Sequence, residues 1–227
     1  MEDMLSVSRI NSSDTYEWLL HKHYAKRLPQ ISYAFGLYNG AILIGVCTFG
    51  LPGGACLSKG LFGGKFIDRI LELNRLVIND NTKNAASFFV AQCIKQLPSP
   101  LCIVSFADSS QGHHGYVYQA TNFLYTGKSA KRTEWVIEGM EHLHSKSIAD
   151  IAKKGDGRWD ELKRIYGDRL GKRDRPSKHR YVYLKGNKSE KKEMLDNLKH
   201  EVQQYPKGDN RRYDASYKPT VQALLFA

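Results

Sequence analysis

The chain has 227 residues, of which 41% are hydrophobic and 25% are charged. This length and composition predict one large domain, or a domain with an appended subdomain, and exclude a disordered chain. The longest mainly apolar stretch, residues 41–51, is interrupted by two glycines and is too short to cross a bilayer. The N-terminus lacks the basic start and apolar core of a signal peptide, so we expect neither a membrane protein nor a secreted one.

Positive charge is concentrated in the second half of the chain. The formal net charge is +11. Residues 1–127 hold 10 basic and 8 acidic residues, a net of +2, which leaves 24 and 15, a net of +9, for residues 128–227. A basic half beside a near-neutral half indicates a polyanionic partner, most simply nucleic acid. A solvated basic surface that serves solubility would have the same composition.

Strands and helices are predicted to alternate in the first half. A short helix over residues 15–20 leads into a polar loop. Asn39-Gly40, between apolar runs at 31–37 and 41–49, predicts a β-hairpin because both turn residues tolerate positive φ. The glycine-rich segment 51–64 lacks the spacing of a phosphate-binding loop and is expected to be a connection. Further along the chain we predict a strand at 66–78, a helix at 85–97, a buried strand at 101–107, a helix at 116–121 and a strand at 122–126.

The second half is predicted to continue in the same mixed way. Its expected elements are a strand at 133–137, helices at 147–153 and 159–166, a basic loop at 172–178, a strand at 180–184 and a helix at 189–200. Short strands alternating with helices, with a hairpin near the start, predict an α/β fold or an α+β fold with a mixed sheet.

Asp108 is the first candidate for chemistry. It stands at the carboxyl end of a buried strand, where open α/β sheets place ligands. Because Asp-Ser-Ser is also an ordinary turn sequence, position alone does not separate this role from a helix cap. His113, His114, Tyr116 and Tyr118 follow within ten residues. Such a set suits general acid–base catalysis better than metal binding, for which it supplies too few ligands.

Three polar residues interrupt the strand predicted at 66–78, namely Glu72, Asn74 and Arg75. Successive side chains of a strand point to opposite faces, so Asn74 and Arg75 share one site only if the strand bulges there. Arg75 is costly to bury unless it is paired. Either it forms an ion pair with Glu72 or Asp108, or it binds an anionic group of a ligand.

The loop before the hairpin combines basic and aromatic residues. It contains His23, Tyr24, Lys26 and Arg27. Such a mixture suits an extruded base and its phosphates, although a surface loop often has this composition. Ser87, in the first turn of the helix at 85–97, has no paired base beside it in the sequence, so a Ser-His-Asp hydrolase has little support.

Several strings occur in order from about residue 21 to residue 217. They are HYAKRLPQISYAFGLY, ELNRLVIND with NAASFFV, SFADSSQGHHGYVYQATNFLYTG, KHRYVYL and YPKGDNRRYDASY. Together they resemble the Mom family of phage DNA adenine-modifying proteins. The resemblance spans nearly the whole chain and involves several independent motifs.

The resemblance implies a reaction and a fold. Mom-like proteins convert the exocyclic N6 of adenine in DNA to a carbamoylmethyl (glycinamide-type) derivative, and the modified phage genome then resists host restriction. The implied fold is that of GNAT-like N-acyltransferases, a mixed, mostly antiparallel sheet flanked by helices, here with a basic C-terminal extension. By matched position, catalytic roles fall on His23, Arg75, Ser87, Asp108 and Tyr118. Substrate-binding roles are assigned to Tyr24, Lys26, Arg27, Asn74 and His113.

The group donor stays open. Acetyl-CoA-using members of the wider fold hold pyrophosphate on a glycine-containing loop between the central strand and the next helix. Residues 79–84, NDNTKN, contain no glycine, which argues against an ordinary CoA pyrophosphate site. The resemblance leaves acetyl-CoA and a glycyl carrier such as glycyl-tRNA as donors, and iron enters by family resemblance alone.

The leading hypothesis is a transferase of the host cytoplasm that modifies adenine in double-stranded DNA. Residues 1–127 would form the catalytic core, and residues 128–227 would complete the sheet and contact nucleic acid. The target base would be extruded, because N6 is engaged in pairing within the duplex. Asp108, with Tyr118, would manage the proton at N6, and Arg75 would bind the donor or orient Asp108. DNA contacts are assigned to Lys178, Arg180, Arg211 and Arg212.

Two other hypotheses compete with this one. The first keeps the fold and makes the chain an acyltransferase acting on a protein or small-molecule amine, which requires a CoA site. The second is a non-catalytic DNA-binding protein that shields DNA by occupancy, which leaves the cluster from Asp108 to Tyr118 unused. No membrane partner is expected, and a homodimer is left open.

Overall fold

The computed structural model describes residues 5–79, 82–143, 145–153, 155 and 157–208, without the side chains of residues 55 and 56. The described chain divides into two compact units. The first unit draws on residues up to 128 and from 178 onward, and the second consists of residues 129–177.

The first unit is built on a mixed sheet. Among the described residues this sheet has seven strands, in the order β1-β2-β3-β4-β5-β9-β6. The strands are β1 (Leu5–Arg9), β2 (Tyr33–Asn39), β3 (Ile42–Gly50), β4 (Ile70–Ile78), β5 (Leu101–Ala107), β6 (Leu124–Lys128) and β9 (His179–Lys185). All neighbours pair antiparallel except β4 and β5, which run parallel. Its helices are α1 (Ala55–Phe62), α2 (Ala85–Gln96), α3 (Tyr116–Ala120) and α6 (Lys188–Asn197). The prediction of an α+β fold with a mostly antiparallel sheet flanked by helices is confirmed.

Both faces of this sheet are covered. α2 presents Phe89, Val90 and Cys93 to one face, where they join Phe35 and Phe49 in the largest apolar cluster. The opposite face is covered in two places, by Trp18 and Leu19 from the N-terminal segment and by a cluster of α1 and α6 residues. Since buried apolar area is the main stabilising contribution to folding, α2 and the N-terminal segment anchor the strands that carry the site.

The second unit has a core of its own. A two-stranded ribbon, β7 (Arg132–Ile137) and β8 (Leu170–Arg175), packs against α4 (Ser145–Ala149) and α5 (Arg158–Tyr166). The core side chains are Ile137, Ile148, Ala152, Leu162 and Leu170. The functional division at residues 127 and 128 stays a prediction.

Local sequence signals placed several elements correctly. The predicted hairpin does join β2 to β3, but its turn residues are Gly40 and Ala41, because Asn39 ends β2 and pairs with Ile42. Gly40 has the positive φ of 57° that such a turn favours. The apolar run at 101–107 is a buried strand, and α2 begins one residue after Asn84.

Two local predictions were wrong, and one strand was missed. The segment 51–64 is not a plain connection, because α1 buries Leu61 and Phe62 and ends at Gly63, whose φ is +63°. The basic stretch predicted as a loop at 172–178 belongs largely to β8, which is mostly charged and has no alternating apolar pattern. β1 was not predicted and pairs with β2 as an edge strand. Among the described residues, no helix is long and apolar enough to span a bilayer.

Candidate active site

The candidate site lies where the two parallel strands stop pairing. β4 and β5 pair only from Ile70 with Cys102 to Glu72 with Val104. The next residue of β5, Ser105, donates its hydroxyl to the carbonyl oxygen of Leu73 at 2.9 Å. Beyond this point β4 follows β3 and β5 follows β9, so the parallel pair opens toward its carboxyl end. Ligands of open α/β sheets bind at such carboxyl ends.

A bulge in β4 changes which side chains reach this opening. Thr48 of β3 pairs with Arg75 and the next residue, Phe49, pairs with Leu73, which leaves Asn74 as the extra residue. An extra residue shifts the alternation of a strand by one, so Arg75 comes to the same face as Glu72. The sequence alone did not show which face Arg75 occupies, because its position depends on a bulge that no local sequence pattern predicts.

Asn74 holds the bulge in place. Its side-chain oxygen accepts a hydrogen bond from the Thr48 hydroxyl at 2.6 Å, and its amide nitrogen donates to the carbonyl oxygen of Gln30 at 3.0 Å. The loop that carries Tyr24 and Arg27 is thereby fixed to β4. The substrate-binding role assigned to Asn74 stays a prediction, and its observed contacts are within the protein.

Arg75 is a half-buried cation whose Nε has no hydrogen-bond partner among the described residues. Its two terminal nitrogens donate to the carbonyl oxygens of Asn74 at 2.6 Å and Arg27 at 3.4 Å. The Nε atom itself is buried. Burial lowers the pKa of Arg75, and the neighbouring Tyr24 and Glu72 oppose that shift. A buried donor without a partner is costly, so this guanidinium is suited to an acceptor on a ligand.

His23 and Tyr24 form a stacked pair beside Arg75. Their ring centroids are 4.4 Å apart, and Tyr24 also meets the ring of His113 edge-on at 6.3 Å. Burial, with the nearby cations Arg75 and Lys178, lowers the pKa of His23 from 6.5 to about 3. His23 is therefore neutral at physiological pH. Its Nδ1 accepts a hydrogen bond from the backbone N–H of Ala25, which places its proton on Nε2.

Asp108 is held as a carboxylate. One of its oxygens lies 2.6 Å from Lys178 Nζ, and the other accepts the hydroxyl and the backbone N–H of Ser110 at 2.6 and 3.1 Å. Burial alone would raise the pKa of Asp108, but the hydrogen bonds from Lys178 and Ser110 outweigh it and hold the pKa below its usual range. An ion pair of Asp108 with Arg75 was one of the alternatives for Arg75, and the cation that pairs with Asp108 is Lys178.

Glu72 and Tyr118 complete the cluster of site residues, whose other members are His23, Tyr24, Arg75, Asp108, His113 and Lys178. Burial raises the pKa of Glu72, although a hydrogen bond from the backbone of Gly53 and the charges of Arg75 and Lys178 oppose this shift. Burial also raises the pKa of Tyr118, whose hydroxyl interacts with the side chain of Ser105. Glu72 was absent from the predicted site residues. The available signal was a carboxylate in an otherwise apolar strand.

Two neighbouring carboxyl groups thus differ in protonation behaviour. The environment lowers the pKa of Asp108 and raises that of Glu72. Carboxyl groups whose pKa values are pushed apart within one site commonly divide the acid and base roles. At this opening of the sheet, the arrangement therefore provides a carboxylate that can accept a proton, a neutral phenol (Tyr118) and a cationic hydrogen-bond donor (Arg75).

Other predicted site residues lie away from this cluster or serve the fold. Ser87 donates its hydroxyl to the carbonyl oxygen of Asn84 at 3.0 Å, within the first turn of α2. Lys26 is exposed, and Arg180 donates to the hydroxyl and carbonyl oxygens of Thr126 at 2.9 and 2.7 Å. Arg211 and Arg212 lie outside the described residues.

The described residues of the site lack a clustered set of metal ligands. Among residues 5–208, apart from the gaps given above, no group of three or more His, Cys, Asp and Glu side chains is arranged to hold a metal ion. These residues do not supply a ready site for iron.

Comparison with known proteins identifies the family. The family model described as the Mom protein family matches residues 4–207, a range that includes every residue of the cluster. A curated relative, "Methylcarbamoylase mom" of Escherichia phage Mu, is 29% identical over 195 residues, which cover 82% of this chain and 77% of that protein. The chain belongs to the Mom protein family.

Proposed function

We propose that this chain is a phage transferase that converts adenine N6 in double-stranded DNA to a carbamoylmethyl (glycinamide-type) adduct and so protects the genome from host restriction enzymes. The observation that carries the proposal is the family match over residues 4–207, which contains the whole cluster from His23 to Lys178. The name of the phage Mu relative, a methylcarbamoylase, agrees with it. The enzyme would act in the host cytoplasm.

A GNAT-like assignment of the fold is part of the proposal. It is supported by the single parallel pair β4–β5 within an otherwise antiparallel sheet, by the opening of that pair beyond Glu72, and by α2 following β4. The β4–α2 connection has no glycine with which to bring its backbone close to a pyrophosphate. The donor is therefore proposed to be either acetyl-CoA bound in another way or a glycyl carrier such as glycyl-tRNA, with Ser87 at the end of α2 that faces the donor.

The target base would be extruded from the duplex into the opening of the sheet. Tyr24, which is 39% exposed, would stack on the base, with His23 fixed behind it and His113 at its edge. Lys26 and Arg27 lie in the same loop and would contact the flanking phosphates.

With a glycyl carrier as donor, N6 would form a bond to the glycyl methylene carbon, and the glycyl amine would move from that carbon to the carbonyl carbon. The ester bond to the carrier breaks, and the carrier hydroxyl leaves with the proton that N6 loses. An acetyl donor would in addition require a nitrogen source and an oxidant. Asp108, held by Lys178 and Ser110, would accept a hydrogen bond from N6 and orient it. Glu72, whose raised pKa lies closer to the working pH, would take the proton. Arg75 would bind a donor oxygen through its unused Nε, and Tyr118, kept neutral by burial, would donate a hydrogen bond to developing charge.

Mass spectrometry of nucleosides tests the proposal. The protein would be expressed in bacteria, and plasmid DNA would be freed of protein and digested. We expect deoxyadenosine carrying the mass of a carbamoylmethyl group, which disappears in Asp108→Ala and falls at least tenfold in Glu72→Gln. Asp68→Asn, an exposed carboxylate variant, is the matched control and should keep the adduct. Labelled glycine or acetate fed to the cells would identify the donor.

Each other outcome has a definite meaning. Unmodified deoxyadenosine from folded wild-type protein would refute the proposed reaction. Restriction protection that vanishes once the DNA is deproteinised would favour a non-catalytic binder. Full activity of Glu72→Gln would refute its role as the proton acceptor and leave the reaction itself standing.

A further inference from the structure

The ribbon of the second unit has two chemically different faces. The register pairs Arg132 with Arg175, Thr133 with Asp174, Glu134 with Arg173, Trp135 with Lys172, Val136 with Gly171 and Ile137 with Leu170. Opposed residues of an antiparallel pair lie on the same face, and the faces alternate along the strands. One face therefore carries Trp135, Ile137 and Leu170. We call the other face the arginine face; its residues are Arg132, Glu134, Val136, Gly171, Arg173 and Arg175.

The apolar face is occupied by the unit's own core. Ile137 and Leu170 are buried, and the ring of Trp135 lies 5.7 Å from that of Trp159 on α5. Lys172 Nζ lies 4.4 Å from the centre of the Trp159 ring, a cation–π contact. These contacts pack the apolar residues of this face against α5 and the rest of the core, while Thr133 and Asp174 at its end are exposed. The arginine face has no such role in the core.

The arginine face places like charges opposite each other. Arg173 is neutralised by Glu134, with 2.7 Å between its Nε and the carboxylate. Arg132 and Arg175 face each other directly, and no acidic side chain among the described residues lies within ion-pair distance of either. Like charges directly opposite on two strands destabilise the pairing. The repulsion is relieved when an anion with several acceptor oxygens lies between them.

We propose that the arginine face of the ribbon binds duplex DNA, with Arg132 and Arg175 on backbone phosphates. The inference rests on the proposed function, which makes duplex DNA the substrate. A guanidinium group can bind two oxygens of one phosphate through parallel hydrogen bonds, and the closely spaced phosphates of a duplex supply an acceptor for each of the two arginines. The major groove admits a two-stranded β-ribbon, and it is the groove in which adenine presents N6. A six-residue ribbon spans about 20 Å, which matches about six base pairs.

Equilibrium binding tests this inference. The probe is a fluorescently labelled DNA duplex, titrated with wild-type protein and with Arg132→Gln/Arg175→Gln. Two lost phosphate contacts should weaken binding roughly 50-fold at about 0.1 M salt and reduce the slope of log affinity against log salt by about 2. The matched control, Lys163→Gln/Arg164→Gln, removes the same charge from α5, which packs on the other side of the ribbon, and should stay within about threefold of wild type.

A second measurement distinguishes a loss of DNA contacts from misfolding of the variant. Removing the opposed arginines should leave the urea midpoint of unfolding unchanged or raise it, because their repulsion is lost. If the double variant is unfolded, Arg132→Gln alone, at an exposed position, should show about half of the change in salt slope. Equal DNA affinity and salt slope in wild type and variant would overturn the inference, as would a loss confined to an RNA hairpin probe.

Failure of the proposed function is recognised separately. Wild-type protein that binds the duplex but leaves no adduct on deoxyadenosine refutes the reaction, and a weakened ribbon variant then still supports the arginine face. Wild-type protein that makes the adduct while the ribbon variant binds and modifies equally well refutes the arginine face alone.

Discussion

His23 should make the stability of this protein depend on pH. Its folded pKa is lowered to about 3, by burial and by the charges of Arg75, Lys178 and His113, whereas the ordinary value is 6.5. Above about pH 6.5 the imidazole of His23 is neutral in both the folded and the unfolded chain, so its protonation does not affect the free energy of unfolding. As the pH falls below that value, the unfolded chain gains a proton that the folded chain binds only near pH 3, so stability is lost.

The magnitude follows from the two pKa values. At about pH 5 the unfolded histidine is almost fully protonated and the folded one is not, which lowers the free energy of unfolding by about 2 kcal/mol relative to pH 7.5. Urea unfolding of wild type and His23→Gln should show this difference. Other histidines titrate in both proteins, so the difference between the two pH dependences isolates His23.

The control is His21→Gln, since His21 lies two residues earlier and is exposed. It should keep the wild-type pH dependence. If His23→Gln lost as much stability between pH 7.5 and pH 5 as wild type does, the buried neutral imidazole beside Arg75 would be refuted.

Two further predictions concern the supports of the site. Gly50→Ala should lower the free energy of unfolding by about 2 kcal/mol, because its Cβ would lie 1.8 Å from the carbonyl oxygen of Gln30, while Gly53→Ala, with open space around it, should be neutral in the same urea assay. Lys178→Met should cost about 3 kcal/mol by leaving the Asp108 carboxylate unpaired, and adding Asp108→Asn should recover most of the loss. Equal unfolding midpoints for wild type and Lys178→Met would contradict that pairing.

Local patterns were sufficient for the elements whose signals are local. The turn at Gly40 and the apolar run of β5 needed no knowledge of the rest of the chain. β8 was missed because its residues are mostly charged, and its strand character comes from pairing with β7 almost forty residues earlier. α1 was missed because its glycines suggested a loop, whereas burial of Leu61 and Phe62 stabilises a helix there.

The site shows the same division between local and distant causes. Asp108 was found from its place at the end of a strand, but its partner Lys178 is seventy residues away and lies immediately before β9, the strand paired with β5. Lys178 was read as a DNA contact because it lies in a basic stretch. The charge pattern shows where cations occur along the chain. Which carboxylate each cation contacts depends on the order of the strands in the sheet.

The bulge at Asn74 determines which charged side chains of β4 reach the site. Without the extra residue, Arg75 would share the face of Leu71 and Leu73, which are buried against α2, and a guanidinium there would be costly. A one-residue shift moves every following side chain to the other face. Asn74 accepts a hydrogen bond from Thr48 and donates one to Gln30, and these two bonds hold the shift that brings Arg75 to the face of Glu72. The position of the Arg75 guanidinium is thus set by two hydrogen bonds between neutral groups. Residue type alone predicted Arg75 as a site residue but not the face on which its side chain lies.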